Sequence, residues 1–137
     1  MSIKFDNETI RSINVFEEVS GVEVKDCLIR DERVYYVVEE GKIGLAIGKN
    51  GETVKKVQSN LGKDVKIFEY SEDAETFIDN LVPTKVKNVE ISNNGGEKVA
   101  KIDVAKRSKA VGRKGRNVKV MERFLNREHG IQRVKIE

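Results

Sequence analysis

One four-residue loop occurs twice in this chain of 137 residues, and the repetition constrains the fold more than any other feature. Gly48-Lys49-Asn50-Gly51 returns as Gly112-Arg113-Lys114-Gly115, an offset of 64 residues. Each copy follows an Ala and a β-branched residue, Ala46-Ile47 and Ala110-Val111. The same offset lays Val54 on Val118, Lys55 on Lys119, Val57 on Met121 and Leu61 on Leu125, so each loop opens a helix with an apolar face. Val54, Val57, Leu61, Val118, Met121 and Leu125 are assigned to the core, the usual place for apolar residues at helical spacing.

The repeat extends on both sides of the loop. In the first copy, a helix is expected over residues 8–19, capped by Asp6 or Asn7, with Ile10, Ile13 and Phe16 as its apolar stripe. Residues 22–29 and 34–38 read as a β-hairpin about Asp31-Glu32, with one of Tyr35 and Tyr36 inward and the other outward. A short helical turn over 43–47, the loop, a helix over 53–61 stopped by Gly62 and a strand over 65–68 complete it. In the second copy, a helix over 74–81, capped by Ser71 or Asp73, is ended by Pro83. Strands over 86–91 and 98–104 flank the turn Asn93-Asn94-Gly95-Gly96. A turn over 108–111, the second loop, a helix over 117–128 with Val118, Met121, Phe124 and Leu125 inward, and a strand over 134–136 follow. That strand matches 65–67 at an offset of 69, so the second copy gains five residues between 126 and 132. The reading is an α+β chain of two domains, 1–71 and 72–137, each helix-strand-strand-helix-helix-strand.

Charge separates the two copies. Net charge is only +3, but residues 1–72 carry −3 and residues 73–137 carry +6. Lys106, Arg107, Lys109, Arg113, Lys114, Arg116 and Lys119 place seven cations in fourteen residues around the second loop. Charge runs usually form a solvated face; concentration on a glycine loop that opens a helix reads instead as a track for a polyanion. Glycine allows close backbone approach, and the unpaired N–H groups of a helix start favour phosphate. Ile47 and Val111 would floor the space beside each loop, with Ile43 and Val54 as neighbours in the first copy, and strand groups near Val65 and Val134 within reach.

Other chemistry finds no footing. The single cysteine, Cys27, allows neither an internal disulfide nor a Cys-rich zinc site. The single histidine, His129, sits at an expected helix end and suits a surface or dipole-stabilising role rather than catalysis. A P-loop requires Gly-x-x-x-x-Gly-Lys-Ser/Thr, and a dinucleotide fingerprint Gly-x-Gly-x-x-Gly; Gly44, Gly48 and Gly51 have neither spacing. The expectation is no enzyme, no metal and no cofactor. The N-terminal stretch is interrupted by Lys4, Asp6, Glu8 and Arg11, and no long apolar run is present, so a cytoplasmic protein without a membrane partner is expected.

Ile47-Gly48-Lys49-Asn50-Gly51 and Val111-Gly112-Arg113-Lys114-Gly115, each between two helices, resemble K-homology (KH) domains, which clamp about four nucleotides with such a loop. A helix and two strands before the loop and a closing strand after it resemble the type II topology. Two such units in tandem, with 41–51 and the Phe77-Ile78-Asp79-Asn80-Leu81-Val82-Pro83 junction, resemble the KH pair of the NusA transcription factors, in the short KH-only form of archaea. The resemblance implies two tandem type II KH domains, each a small mixed sheet packed on helices, acting as a monomer. Single-stranded RNA is the implied partner, with RNA polymerase as a second, and the implied role is termination or antitermination of transcription. The RNA-binding residues would be Ile47, Gly48, Lys49, Asn50, Gly51 and Lys55 in the first unit. In the second they would be Lys106, Arg107, Lys109, Val111, Gly112, Arg113, Lys114, Gly115, Arg116 and Lys119. The alternative is a KH adaptor that docks on RNA polymerase or the ribosome, RNA contact being secondary.

Overall fold

The computed structural model describes residues 6–137; residues 1–5, where the sequence reading starts the first unit and places Lys4, lie outside it. Helix α1 (Asn7–Ser20) begins where the Asp6 carboxylate accepts the N–H of Thr9 at 2.8 Å and ends at a left-handed Gly21. Its buried face keeps Ile13 and Phe16 of the expected stripe but not Ile10. Thr9, Ser12 and Phe16 are buried, whereas Ile10 is 45% exposed. Ser12 is tolerated inside because its hydroxyl donates to the Glu8 carbonyl at 2.9 Å. Its own carbonyl accepts the Tyr36 hydroxyl at 2.7 Å.

Strands β1 (Val24–Arg30) and β2 (Arg33–Val38) form an antiparallel hairpin. Asp31 and Glu32 both take positive φ, 51° and 61°, the tight two-residue turn that matches the strand twist. Helix α2 (Ile43–Ile47), one turn of 3₁₀ helix over Lys49–Gly51 and helix α3 (Glu52–Leu61) lead to β3 (Asp64–Glu69), which pairs parallel to β2. The sheet order is therefore β1-β2-β3, mixed, with β3 at an edge. Phe16, Cys27, Val34, Tyr36, Val38, Ala46, Val57 and Val65 make the core between sheet and helices, with Leu61 and Val54 partly buried against it.

Both tyrosines of β2 are buried, at 2% for Tyr35 and 0% for Tyr36, so neither is the surface residue expected. Adjacent strand residues face opposite sides of the sheet, and each side supplies an aromatic. Tyr36 stacks on Phe16 at 4.3 Å, and Tyr35 lies parallel to Phe68 at 6.2 Å. Burial, with Cys27 beside it, pushes the Tyr36 hydroxyl above its ordinary pKa.

The chain divides into two compact units between Ser71 and Glu72. The second unit repeats the order with α4 (Ala74–Leu81), β4 (Val86–Asn94), β5 (Glu97–Val104), α5 (Arg107–Val111), a 3₁₀ turn over Arg113–Gly115, α6 (Arg116–His129) and β6 (Arg133–Ile136). Its sheet, β4-β5-β6, is again antiparallel then parallel. Asp73 caps α4 by accepting the Thr76 N–H at 3.1 Å. Helix α6 has 14 residues against 10 in α3, which takes up most of the five-residue gain. In α6, Val120, Met121, Phe124 and Leu125 are buried, but Val118 is only partly so. Val54 packs partly buried against the first core and Val118 is partly buried, and both also face the grooves described below.

Candidate nucleic-acid interface

The two loops share one backbone geometry. Gly48 has φ 79° and ψ 167°, and Gly112 has φ 78° and ψ 170°, a region open essentially to glycine alone. The next turn is tied by an N–H to carbonyl bond of 3.1 Å, Gly51 to Gly48 in one unit and Gly115 to Gly112 in the other. Asn50 and Lys114 both sit at φ 55°, and Gly51 and Gly115 at φ 72° and 73°. The first glycine of each loop is also sterically obligatory. A β-carbon at Gly48 would fall 2.3 Å from Thr53 Oγ1, and one at Gly112 would fall 2.9 Å from the Asn117 side chain. The second glycine has open space around it and is required only by its φ. Asn117 holds the second loop from behind, its amide donating to the Lys109 carbonyl at 3.1 Å.

Each loop hands over to a helix whose N-terminus has no side-chain cap, so its first N–H groups are left to solvent or a ligand. Lys49, Asn50 and Lys55 are exposed in the first unit; Lys106, Arg107, Lys109, Arg113, Lys114 and Lys119 are exposed in the second. Arg116 is partly buried. It opens α6 where α3 opens with Glu52, so the second loop has the more positive surroundings.

Beside each loop runs a groove. The first, about 340 Å³, is lined by Ile47, Gly51, Val54, Lys55, Gln58, Val65, Lys66 and Ile67. The second, about 480 Å³, is lined by Val111, Gly115, Val118, Lys119, Glu122, Val134, Lys135 and Ile136, with Arg107 added. These are the same eight positions of the repeat. Val54 and Val118 form part of the groove floor, which is why they are less buried than core residues. One wall is the loop-to-helix segment, and the other is the edge strand, β3 or β6.

The edge strands offer backbone groups to the grooves. In β3 the N–H of Tyr70, just past the strand, bonds the Val38 carbonyl at 2.8 Å, so Val65 and Ile67, in the opposite phase, face away from β2. In β6 the N–H of Glu137 bonds Ile102 at 2.9 Å, leaving Val134 and Ile136 in the outward phase. Val65 N–H donates to Gln58 Oε1 at 3.2 Å, and Val134 N–H donates to Glu122 Oε2 at 3.0 Å. Arg107 Nε donates to the Ile136 carbonyl at 3.2 Å.

Of the sixteen residues singled out from the sequence, Ile47, Gly51, Lys55, Arg107, Val111, Gly115 and Lys119 line the grooves. Gly48, Lys49, Asn50, Gly112, Arg113 and Lys114 form the loops at their ends, Arg116 follows the second loop, and Lys106 and Lys109 flank α5 and lie within it. Gln58 and Glu122 were not foreseen. Their signal was available: they continue the series 51, 54, 55, 58 and 115, 118, 119, 122 on one helix face at the offset of 64. Among the described residues no cluster of three His, Cys, Asp or Glu could hold a metal ion, and no helix is long and apolar enough to cross a membrane.

Residues 10–96 match the KH domain family model. The probable transcription termination protein NusA of Methanocaldococcus jannaschii is 37% identical over 98% of this chain and 75% of its own length. The protein of the same name from Halococcus morrhuae is 35% identical over 99% of both chains. The crystal structure of APE1850 superimposes with a TM-score of 0.82 at 32% identity, covering 97% of this chain and 100% of the other.

Proposed function

This chain belongs to the KH-domain family, among the archaeal NusA-like proteins, and on that premise we propose that it is a single-stranded RNA-binding factor acting in transcription termination or antitermination. Both of its units are read as type II KH modules, the second lying largely beyond the stretch the family model matches. The observation that carries the reading is the pair of loops with one unusual backbone conformation, each beside a groove built from equivalent positions.

In this reading the loop backbone and the uncapped helix start hold phosphate. Lys49, Arg113 and Lys114 add charge-assisted contacts. The bases turn into the groove over Ile47 and Val54, or Val111 and Val118, and meet the polar edge strand opposite. The work is recognition, with no bond made or broken, and no metal or cofactor enters it. RNA polymerase is the further partner proposed, because a factor in transcription termination acts where that enzyme does.

The test is affinity for a short single-stranded RNA library, read by fluorescence anisotropy, with aspartate placed at Lys49 and Asn50, at Arg113 and Lys114, and at all four. A folded quadruple variant that loses RNA supports the reading. A wild type without micromolar affinity for any member defeats it in favour of the adaptor, whose acidic first unit would dock on polymerase or ribosome.

A further inference from the structure

The two grooves share eight positions, differ in polar character at one of them, and differ again at a ninth that lines only the second groove, its counterpart Ile43 packing on the first core. Position 58 of the first unit is Gln and its counterpart 122 is Glu; position 43 is Ile and its counterpart 107 is Arg. In the first groove the Gln58 oxygen accepts from Val65, which leaves amide N–H donors on that side chain. The outward carbonyl of Ile67 has no side-chain donor among the described residues. In the second groove Glu122 presents only acceptor atoms, one of them already on the Val134 N–H. Arg107 covers the Ile136 carbonyl with Nε and retains its two NH₂ groups as donors on the same wall.

We propose that Glu122 and Arg107 make the second groove selective for a base that carries an amino donor beside an unprotonated ring nitrogen, cytosine or adenine, and exclude uracil, while the first groove is permissive. The inference rests on the RNA-binding reading above. Cytosine offers its N4 amino group to the Glu122 carboxylate, the pairing a carboxylate favours, and N3 or O2 to the guanidinium. Uracil would set its O4 acceptor against that carboxylate and leave buried acceptors opposed, a mismatch that costs more than a missing contact. Gln58 can turn its amide to give or accept, and the open Ile67 carbonyl accepts from whichever base arrives, so the first groove imposes no such sign.

The experiment uses the full chain with the first loop silenced by Lys49→Asp and Asn50→Asp, and fluorescein-labelled oligo(C) and oligo(U) of equal length as probes. The expected result is oligo(C) bound at least about tenfold tighter than oligo(U), with Glu122→Gln or Arg107→Ile reducing the ratio to about threefold or less. Each substitution installs the residue the other unit already carries. Should either unfold the second unit, the reciprocal graft decides: Ile43→Arg with Gln58→Glu, in a chain whose second loop is silenced by Arg113→Asp and Lys114→Asp, must gain the cytosine preference. Equal affinity for the two probes, or a ratio that Glu122→Gln leaves unchanged, overturns the inference and leaves RNA binding intact. Failure of the unmodified chain to bind oligo(C), oligo(U), oligo(A) or any member of the RNA library overturns both.

Discussion

Gly48 packs so closely on Thr53 that a β-carbon on the glycine would lie 2.3 Å from the threonine Oγ1 and 2.9 Å from its backbone nitrogen. The backbone nitrogen cannot swing away as a side chain could. Gly48→Ala should therefore cost about 2–3 kcal/mol, from the clash together with a φ/ψ that only glycine adopts freely. Gly51→Ala, with open space but φ 72°, should cost about 1 kcal/mol. Urea unfolding of both variants checks the order; equal costs would mean that steric contact at Gly48 is unimportant.

Lys114 occupies a left-handed conformation at φ 55° that Asn50 fills in the first unit. Asparagine tolerates this region better than lysine. Lys114→Asn should raise the thermal midpoint slightly, by less than about 1 kcal/mol of stability, while weakening RNA binding. A stabilised variant with unchanged affinity would remove Lys114 from the interface.

Salt should separate phosphate contacts from base contacts. Each phosphate neutralised on a single strand contributes about −0.7 to the slope of log affinity against log salt. With roughly four to six such contacts, the slope should be near −3 to −4, and aspartate at Arg113 and Lys114 should flatten it by more than aspartate at Lys49 and Asn50. A slope near zero in the unmodified chain would mean that the basic track is solvated surface.

Tyr36 joins α1 to the sheet through its hydroxyl bond to the Ser12 carbonyl and its stack on Phe16. Tyr36→Phe keeps the ring but removes the hydroxyl's bond to a carbonyl that retains its helical N–H partner, at a cost of about 0.5–1.5 kcal/mol. Phe16→Ala removes a fully buried ring, and about 3–5 kcal/mol is expected. Chemical denaturation followed by tyrosine fluorescence gives both values.

Two helix caps contribute to the stability of the fold against acid. The Thr9 N–H holds the Asp6 carboxyl below its ordinary pKa, and the Thr76 hydroxyl and N–H do the same for Asp73. A pKa lowered in the folded state stabilises the fold above the unfolded value and loses that contribution as pH falls through the folded value. The midpoint of thermal unfolding should thus fall below about pH 4, and Asp6→Asn with Asp73→Asn should shrink that fall. An unchanged acid profile in the double variant would assign acid sensitivity to other groups.

Much of the architecture was legible in the amino-acid order because it is written in local signals. The glycine loops, the offset of 64, the caps at Asp6 and Asp73 and the stops at Gly62 and Gly130 act within a few residues of themselves, and the order of helices and strands follows from them. What periodicity could not decide was which neighbour each face would meet. Ile10 looked like core and is exposed, while Ser12 is buried and its carbonyl accepts the Tyr36 hydroxyl across 24 residues. Val54 and Val118 looked like core alone; both also floor grooves, Val54 while packing partly against the core, because an apolar helix position can serve both once a strand is laid beside it. Gln58 and Glu122 carried no meaning alone. Only the parallel pairing of β3 with β2, and of β6 with β5, brings the outward N–H groups of Val65 and Val134 within reach of those side chains, and that contact depends on tertiary structure.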